Sequence, residues 1–396
     1  MKTLYMHLGT PKTATSSIQV ACANNNELLH QFGYSFPLFP YTYPGIRTQR
    51  NGHFLIEASL MRDKIPDQET TWQDRLALGL KMVHDEFETC DNVILTDESF
   101  WCSLNYNKQS PLAILQKDAE EHGYCIKTVV YLRRQDSFLI SRWNQFVKEG
   151  TMTASLPDHL KKMLTKEPLV SDYAAALDKM AAQIGKENII VRRFEPASWV
   201  GGSIYTDFAA AIGLPSEAAL KPPKNDVNLG LKGNAVDIQL TINRISSLSL
   251  EDKVSFAKYT KKLSANMAEE DQYNPLSPEE TAEFLAQFEE GNERVARGYI
   301  GDGKPLFSSK VKDAPKWERD NCFYRNDTET FLQILPPEKQ TALIAAAILD
   351  LEAKNEELAA IREKNNALAK KAAELSHKLT ALKHPLKTAG KKLLGK

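Results

Sequence analysis

Apolar and β-branched residues gather in four short runs in the first half of the chain, at about 3–8, 93–97, 126–132 and 188–193. Runs of this length without strict alternation suit strands covered on both faces. Between them, at 72–88 and 170–184 for example, apolar positions recur at helical spacing. Strands alternating with helices predict an α/β fold, a mostly parallel sheet between two helical layers. Two stretches interrupt the pattern. Residues 35–52 are rich in Pro, Tyr, Gly and Arg, and 214–235 contains Pro215, Pro222, Pro223 and Asn228-Leu-Gly-Leu-Lys-Gly233. Both read as long loops.

After residue 307 the pattern changes. Residues 308–336 are polar and irregular and read as a linker, and Pro336-Pro337 suits a helix start. No glycine or proline interrupts from there to Pro385. Ile344, Leu351, Leu358, Asn365, Ala372 and Leu379 recur every seven residues, each followed three later by Ala347, Lys354, Ile361, Leu368, Leu375 and Leu382. This a/d seam predicts a long C-terminal helix over 337–384 that pairs as a coiled coil, with polar Asn365 setting register and Lys354 as a flaw. The chain is therefore expected to be a homo-oligomer. The competing expectation is an amphipathic helix packed on its own domain. The tail, 385–396, carries Lys387, Lys391, Lys392 and Lys396 and no acid. It is a candidate contact for anionic lipid or a solvated end.

Composition narrows the function. The formal net charge of −1 gives no electrostatic support for a nucleic-acid partner. Cys22, Cys90, Cys102, Cys125 and Cys322 are scattered, with no C-x-x-C pair, which argues against structural zinc or a disulfide framework. No apolar run is long enough to span a bilayer, and no secretory pattern precedes the first strand. A cytoplasmic location is expected, peripheral to the inner face of the membrane if the tail touches lipid.

The first strand breaks at Gly9-Thr10-Pro11 and gives way to Lys12-Thr13-Ala14-Thr15-Ser16-Ser17. A strand-loop-helix of this kind aims backbone N–H groups and a helix N-terminus at one point, an anion site. It is not the nucleotide-triphosphatase loop, because Lys12 follows no second glycine. The run Pro11–Ser17 instead resembles the 5′-phosphosulfate loop of sulfotransferases, P-K-[ST]-[GA]-[ST]-[ST]-[ST].

A second segment adds to this. The strand at 126–132 ends in Arg133-Arg134-Gln135-Asp136, where Asp136 reads as a helix N-cap. Ser141 follows Arg133 by eight residues, a spacing that resembles the 3′-phosphate clamp of the same enzymes. Arginine grips phosphate through paired N–H bonds and serine donates another. Arg134 is the competing arginine. With Arg193-Phe-Glu-Pro196, Asp207-Phe208, Ile212-Gly213 and Asn292-Glu-Arg-Val-Ala-Arg-Gly-Tyr299, residues 1–307 resemble a bacterial sulfotransferase-like family of carbohydrate type. The resemblance implies a P-loop-like fold and 3′-phosphoadenosine-5′-phosphosulfate (PAPS) as donor. It also implies a carbohydrate or glycolipid hydroxyl as acceptor and no metal. Pro11, Lys12, Thr13, Ala14, Thr15, Ser16, Ser17, Arg133 and Ser141 would hold the donor. Lys232-Gly233 is a weaker match to a loop that closes over the 3′-phosphate.

Transfer to a hydroxyl also needs charge stabilisation and a base. Lys12 suits the first task. For the base, Glu98 follows the strand at 93–97, and His53 lies in Arg50-Asn-Gly-His53, a polar break before an apolar helix. Imidazole needs less tuning than a carboxyl near ~4.3. His7 is expected to be structural or a donor to the phosphosulfate. Arg47, Arg50 and Lys148 are candidates for binding an anionic acceptor. Two rivals stand beside this reading: a P-loop kinase with Asp97 as metal ligand, and an inactive fold serving as a coiled-coil scaffold.

Overall fold

The computed structural model describes the chain apart from residues 41–42, 44–49, 62–68, 106–108, 219, 224–229, 268–272, 312, 320–323 and 394–396. Its core is a five-stranded sheet in the order β2-β3-β1-β4-β5, with every pairing parallel. The strands are β1 (Thr3–His7), β2 (Tyr34–Ser35), β3 (Asn92–Thr96), β4 (Cys125–Leu132) and β5 (Ile189–Arg193). Four of them lie within a residue or so of the expected runs. The two-residue β2 is too short to leave a periodic signal.

Between the strands run α1 (Thr15–Asn24), α2 (Asn26–Gln31), α3 (His53–Leu60), α4 (Trp72–Glu86), α5 (Ser99–Ser103), α6 (Pro111–His122), α7 (Gln135–Lys148), α8 (Leu156–Lys166) and α9 (Tyr173–Ile184). After β5 come α10 (Ile204–Ala211), α11 (Gly233–Asn243), α12 (Leu250–Ala265), α13 (Pro278–Ala286), α14 (Glu289–Val295), α15 (Tyr324–Ile334) and α16 (Pro337–Leu393).

Strand periodicity of two sorts the core into layers. Leu4, Met6, Val93, Leu95, Ile126 and Val130 face one way, against Phe54, Val83, Leu115 and Leu177 of α3, α4, α6 and α9. Tyr5, Ile94, Val129 and Tyr131 face the other way, against Ile18, Leu29 and Phe208 of α1, α2 and α10. The result is the expected three-layer α/β fold. The chain leaves β1 on one face and β3 on the other, so the carboxyl end of β1 is a topological switch point, where such sheets bind ligands.

One buried ion pair ties α3 to α4. Arg75 donates from Nε to Glu57 Oε2 at 2.8 Å and from Nη2 to Glu57 Oε1 at 3.2 Å, and from Nη1 to the Thr70 carbonyl at 2.7 Å. Both side chains are at most 1% exposed. Removing one partner strands a buried charge, so Arg75→Ala should lower unfolding stability by about 3–5 kcal/mol. Urea denaturation checks this, and Glu57→Leu with Arg75→Met should recover most of the loss.

Three expectations need correction, the first being the end of the long helix: α16 runs to Leu393 with Pro385 inside it, past the expected end at 384. Asp136 is not the N-cap of α7: the helix starts at Gln135 with Arg134 at the cap, and Asp136 sits in the first turn. The stretch read as a linker contains α15, whose Phe331 is buried with Phe256, Ile238 and Leu343. Its apolar spacing is diluted by Arg325, Asn326, Asp327 and Glu329, which hid the helix.

Candidate active site

The loop after β1 is pinned to β4. Leu8 N–H donates to Val129 O at 3.0 Å, Thr10 N–H and Oγ1 donate to Tyr131 O at 3.3 and 3.0 Å, and Thr13 Oγ1 donates to Thr10 O at 2.6 Å. Lys12 and Ala14 both have left-handed backbones, with φ of 71° and 58°. Non-glycine residues seldom adopt that region. Left-handed residues in such a turn direct successive N–H groups into one concavity, an anion nest. Ala14 leads straight into α1, which no side chain caps and whose first turn holds no acid. The open N–H groups of the helix therefore join the nest. Gly9 has φ 48°, and a Cβ there would meet Thr15 Oγ1 at 2.5 Å. Thr15 Oγ1 and His7 Nε2 are buried in this region without a hydrogen-bond partner. Such orphans cost free energy unless something binds them. Thr13 is buried, Pro11, Lys12 and Ser17 are half-buried, and Ser16 is exposed.

Cations face this nest. Lys12 Nζ donates to Gln145 Oε1 of α7 at 3.3 Å. Arg133 donates from Nη1 to the Lys12 carbonyl at 3.0 Å and from Nε to Ser137 Oγ at 2.8 Å, stacked over Phe194. Ser137 and Gln145 lie eight residues apart on one stripe of α7, and Ser141 lies midway between them on the same stripe. Arg134 is committed elsewhere, to Asp136 at 2.8 and 2.9 Å and to the carbonyls of Ser308 and Lys310. Of the two arginines, Arg133 is the one beside the loop. Lys148 is buried at the end of α7, and burial, then Lys12 and Lys261, push its amine down to about 8. Burial also lowers the Lys12 amine, with Arg133 adding to it and Glu98 and Glu149 opposing. Cations held together in partial burial suit a multiply charged anion.

A second polar segment is welded to β3. Asn51 donates to the carbonyls of Pro37 and Ile94, both at 3.0 Å, and accepts from Thr96 N–H at 2.8 Å. Gly52 N–H donates to Thr96 O at 3.2 Å. This sets His53 at the first turn of α3, 3% exposed, with Nδ1 2.5 Å from Asp97 Oδ2 and Tyr43 edge-on at 4.3 Å. Asp97 Oδ1 accepts from Ser99 N–H at 2.6 Å. Burial alone would raise the Asp97 carboxyl, but His53 and Arg50 hold it down to about 2. Arg50 Nη2 reaches Glu98 Oε1 at 2.5 Å. Burial raises the Glu98 carboxyl, against the pull of Arg50 and Lys12. An electrostatic chain thus runs Lys12, Glu98, Arg50, Asp97, His53.

The structure brings the loop, Arg133, Ser141, Glu98 and His53 to one edge of the sheet. His7 is structural on one side, Nδ1 to Thr96 Oγ1 at 3.1 Å, and burial lowers its imidazole to about 3. Lys232 caps α11 with its N–H on Ser264 Oγ, and Asn144 of α7 holds Leu231 N–H and O at 2.9 and 2.8 Å. Arg47 lies outside the described residues, as does 224–229. Sequence reasoning missed Asn51, Gln145 and the pairing of Asp97 with His53. Only the adjacency of Asp97 to Glu98 offered a signal.

No family model matches the chain. A relative from Archaeoglobus fulgidus, described only as an uncharacterized protein, is 28% identical over 175 residues, which are 44% of this chain and 46% of that protein. The chain thus spans about half the length of the curated relative it matches. Among solved structures, a sulfotransferase from Alicyclobacillus acidocaldarius aligns with 60% of this chain and 90% of its own, at 16% identity and a TM-score of 0.36.

Proposed function

We propose that the chain is a sulfotransferase that moves the sulfuryl group of PAPS to a hydroxyl of a carbohydrate or glycolipid. The observation that carries this reading is the nest at Lys12 and Ala14, opening on the uncapped α1 and faced by Arg133 and the Ser141 stripe of α7. Residues 11–17 with Lys12 would hold the 5′-phosphosulfate, and Arg133 with Ser141 the 3′-phosphate. Lys12 neutralises charge on the phosphate oxygen released as the bridging O–S bond breaks. His53 takes the acceptor hydroxyl proton at Nε2, because Asp97 engages Nδ1 and stabilises the imidazolium that forms. Glu98, paired with Arg50, balances the charge beside Lys12.

The kinase reading finds less support. Asp97 is fully buried and its charge is already matched by His53 and Arg50, an environment that suits an orienting anion better than a ligand reaching for magnesium.

No described helix is long and apolar enough to cross a membrane. A cytoplasmic setting belongs to this proposal, as does lipid contact by the tail, whose side chains lie outside those described.

The test is thermal. Adenosine 3′,5′-bisphosphate should stabilise the chain by about 2.7 kcal/mol at a hundredfold excess over Kd. A melting temperature unmoved by millimolar ligand overturns the reading.

We also infer that α16 pairs with the α16 of a second chain. Its first turns serve the chain's own body: Leu343 and Ala346 are buried, and Asp350 accepts from Ser246 N–H and Oγ at 3.1 and 2.7 Å. From Leu351 to Leu379 every residue is exposed, Leu351, Leu358, Ile361, Leu368, Leu375 and Leu379 among them. A row of leucines in water at heptad spacing argues for a partner helix. Light scattering should give a multiple of the 44.5 kDa chain mass, and truncation after Asp350 should give the monomer. A monomeric full chain removes the inference.

A further inference from the structure

The edge of the sheet opposite the anion loop carries a second constellation. His84 lies in the last turn of α4, and Asp118 and His122 lie four residues apart at the end of α6. These helices lead into the amino ends of β3 and β4. His84 Nε2 is 2.9 Å from Asp118 Oδ2, and His122 Nδ1 is 3.4 Å from Asp118 Oδ1. One ligand atom from each residue lies within 4.8 Å of the others.

We propose that His84, Asp118 and His122 form a divalent transition-metal site of the zinc class, remote from the sulfuryl-transfer site. Four-coordinate zinc with bonds of 2.0–2.1 Å sets neighbouring ligand atoms about 3.3 Å apart. The two measured separations run to different oxygens of Asp118, and His122 Nδ1 also lies 3.0 Å from the Asp118 carbonyl, so an ion enters as the His122 ring turns from that carbonyl toward the carboxylate. The ligand set, two imidazoles and one carboxylate, suits zinc, cobalt or nickel and not magnesium or calcium, which take oxygen.

Two features support a built site. Asp118 is 8% exposed, and Tyr124 donates its hydroxyl to Asp118 Oδ2 at 2.6 Å, the outer hydrogen bond that orients a ligating carboxylate. Tyr124 is itself held against Phe87, with centroids 5.1 Å apart. The two imidazoles stack at 3.9 Å with 28° between planes. Each ring also contacts the Asp118 carboxylate, so the two histidines already gather at one anion. His122 is 45% exposed, so the remaining coordination position opens to water. The ion would clamp α4 to α6 and take no part in the transfer.

The full chain without a histidine tag, stripped with chelator and titrated with zinc chloride at pH 7.5, should bind one ion per chain and melt at a higher temperature. His84→Ala and His122→Ala should each weaken binding at least tenfold, while leaving the response to adenosine 3′,5′-bisphosphate unchanged. Both positions are partly exposed, so the variants should fold; Asp118→Asn is a third arm. Stoichiometric binding that survives both histidine substitutions, or no binding at tenfold excess of zinc, overturns the proposal. The bisphosphate response is read separately, so failure here is distinguishable from failure of the sulfotransferase reading.

Discussion

Lys12→Ala should leave the melting temperature unmoved by adenosine 3′,5′-bisphosphate and lower transfer from PAPS by about 10²–10³-fold, the usual loss for one charge-stabilising donor. The lysine sits on a left-handed turn beside Arg133 and Gln145, so its removal subtracts charge from the point where the nest, α1 and α7 converge. Arg133→Ala should likewise abolish the thermal response. Arg134→Ala should preserve it, since that side chain serves Asp136, Ser308 and Lys310. Loss in Arg134→Ala with retention in Arg133→Ala would reverse the assignment. A pH dependence accompanies this. Burial, Lys12 and Lys261 place Lys148 at about 8, and a bound anion raises it. Binding therefore takes up a proton around pH 8, and affinity should fall as pH rises through that value, by up to about tenfold per unit. Calorimetry in buffers of different ionisation enthalpy measures the proton directly.

The second large effect falls on the base. His53→Ala should cost about 10²–10⁴ in kcat with little change in bisphosphate binding, the range for a positioned general base. Asp97→Asn should cost nearly as much, because an amide leaves the imidazole without the anion that fixes its orientation. Asp97 is held down to about 2, below its unfolded value of about 3.9. Its pairing energy is therefore fully present above pH 4 and lost as pH falls toward 2. Glu98→Gln should retain transfer within about tenfold, as its carboxylate serves Arg50. Full activity in His53→Ala with loss in Glu98→Gln would move the base to Glu98.

How far the sequence spoke depended on the range of the interaction. The strand at 126–132 and the loop at 9–17 were legible because each is a local pattern: β-branched residues in a row, or a lysine among hydroxyls after a break. The weld between Asn51 and β3 spans 43 and 45 residues, and nothing local marks an asparagine that bonds two carbonyls and an N–H. The His53–Asp97 pair was hidden for the same reason. Asp97 read alone was a metal ligand for a rival enzyme; in the fold its carboxylate lies against the His53 imidazole. In α16 the expectation of a helix packed on its own domain holds for the first turns, and the heptad seam beyond them stands exposed. Leu343, Ala346 and Asp350 face the body, while Ile344, Ile348 and Leu351 face water. A heptad count cannot distinguish the two faces until the body is in place.

That division of α16 has a geometric consequence. The anchored face ends at Asp350, so a partner helix has room to pair only beyond it. The exposed stretch from Leu351 to Leu379 rises about 42 Å at 1.5 Å per residue. A parallel pair would carry the two bodies at a common end, a fixed distance apart. On a repeating acceptor, one body engaged with the polymer would hold the other at high effective concentration over the same strand. Long acceptors would then be modified in successive encounters without release, and short ones singly.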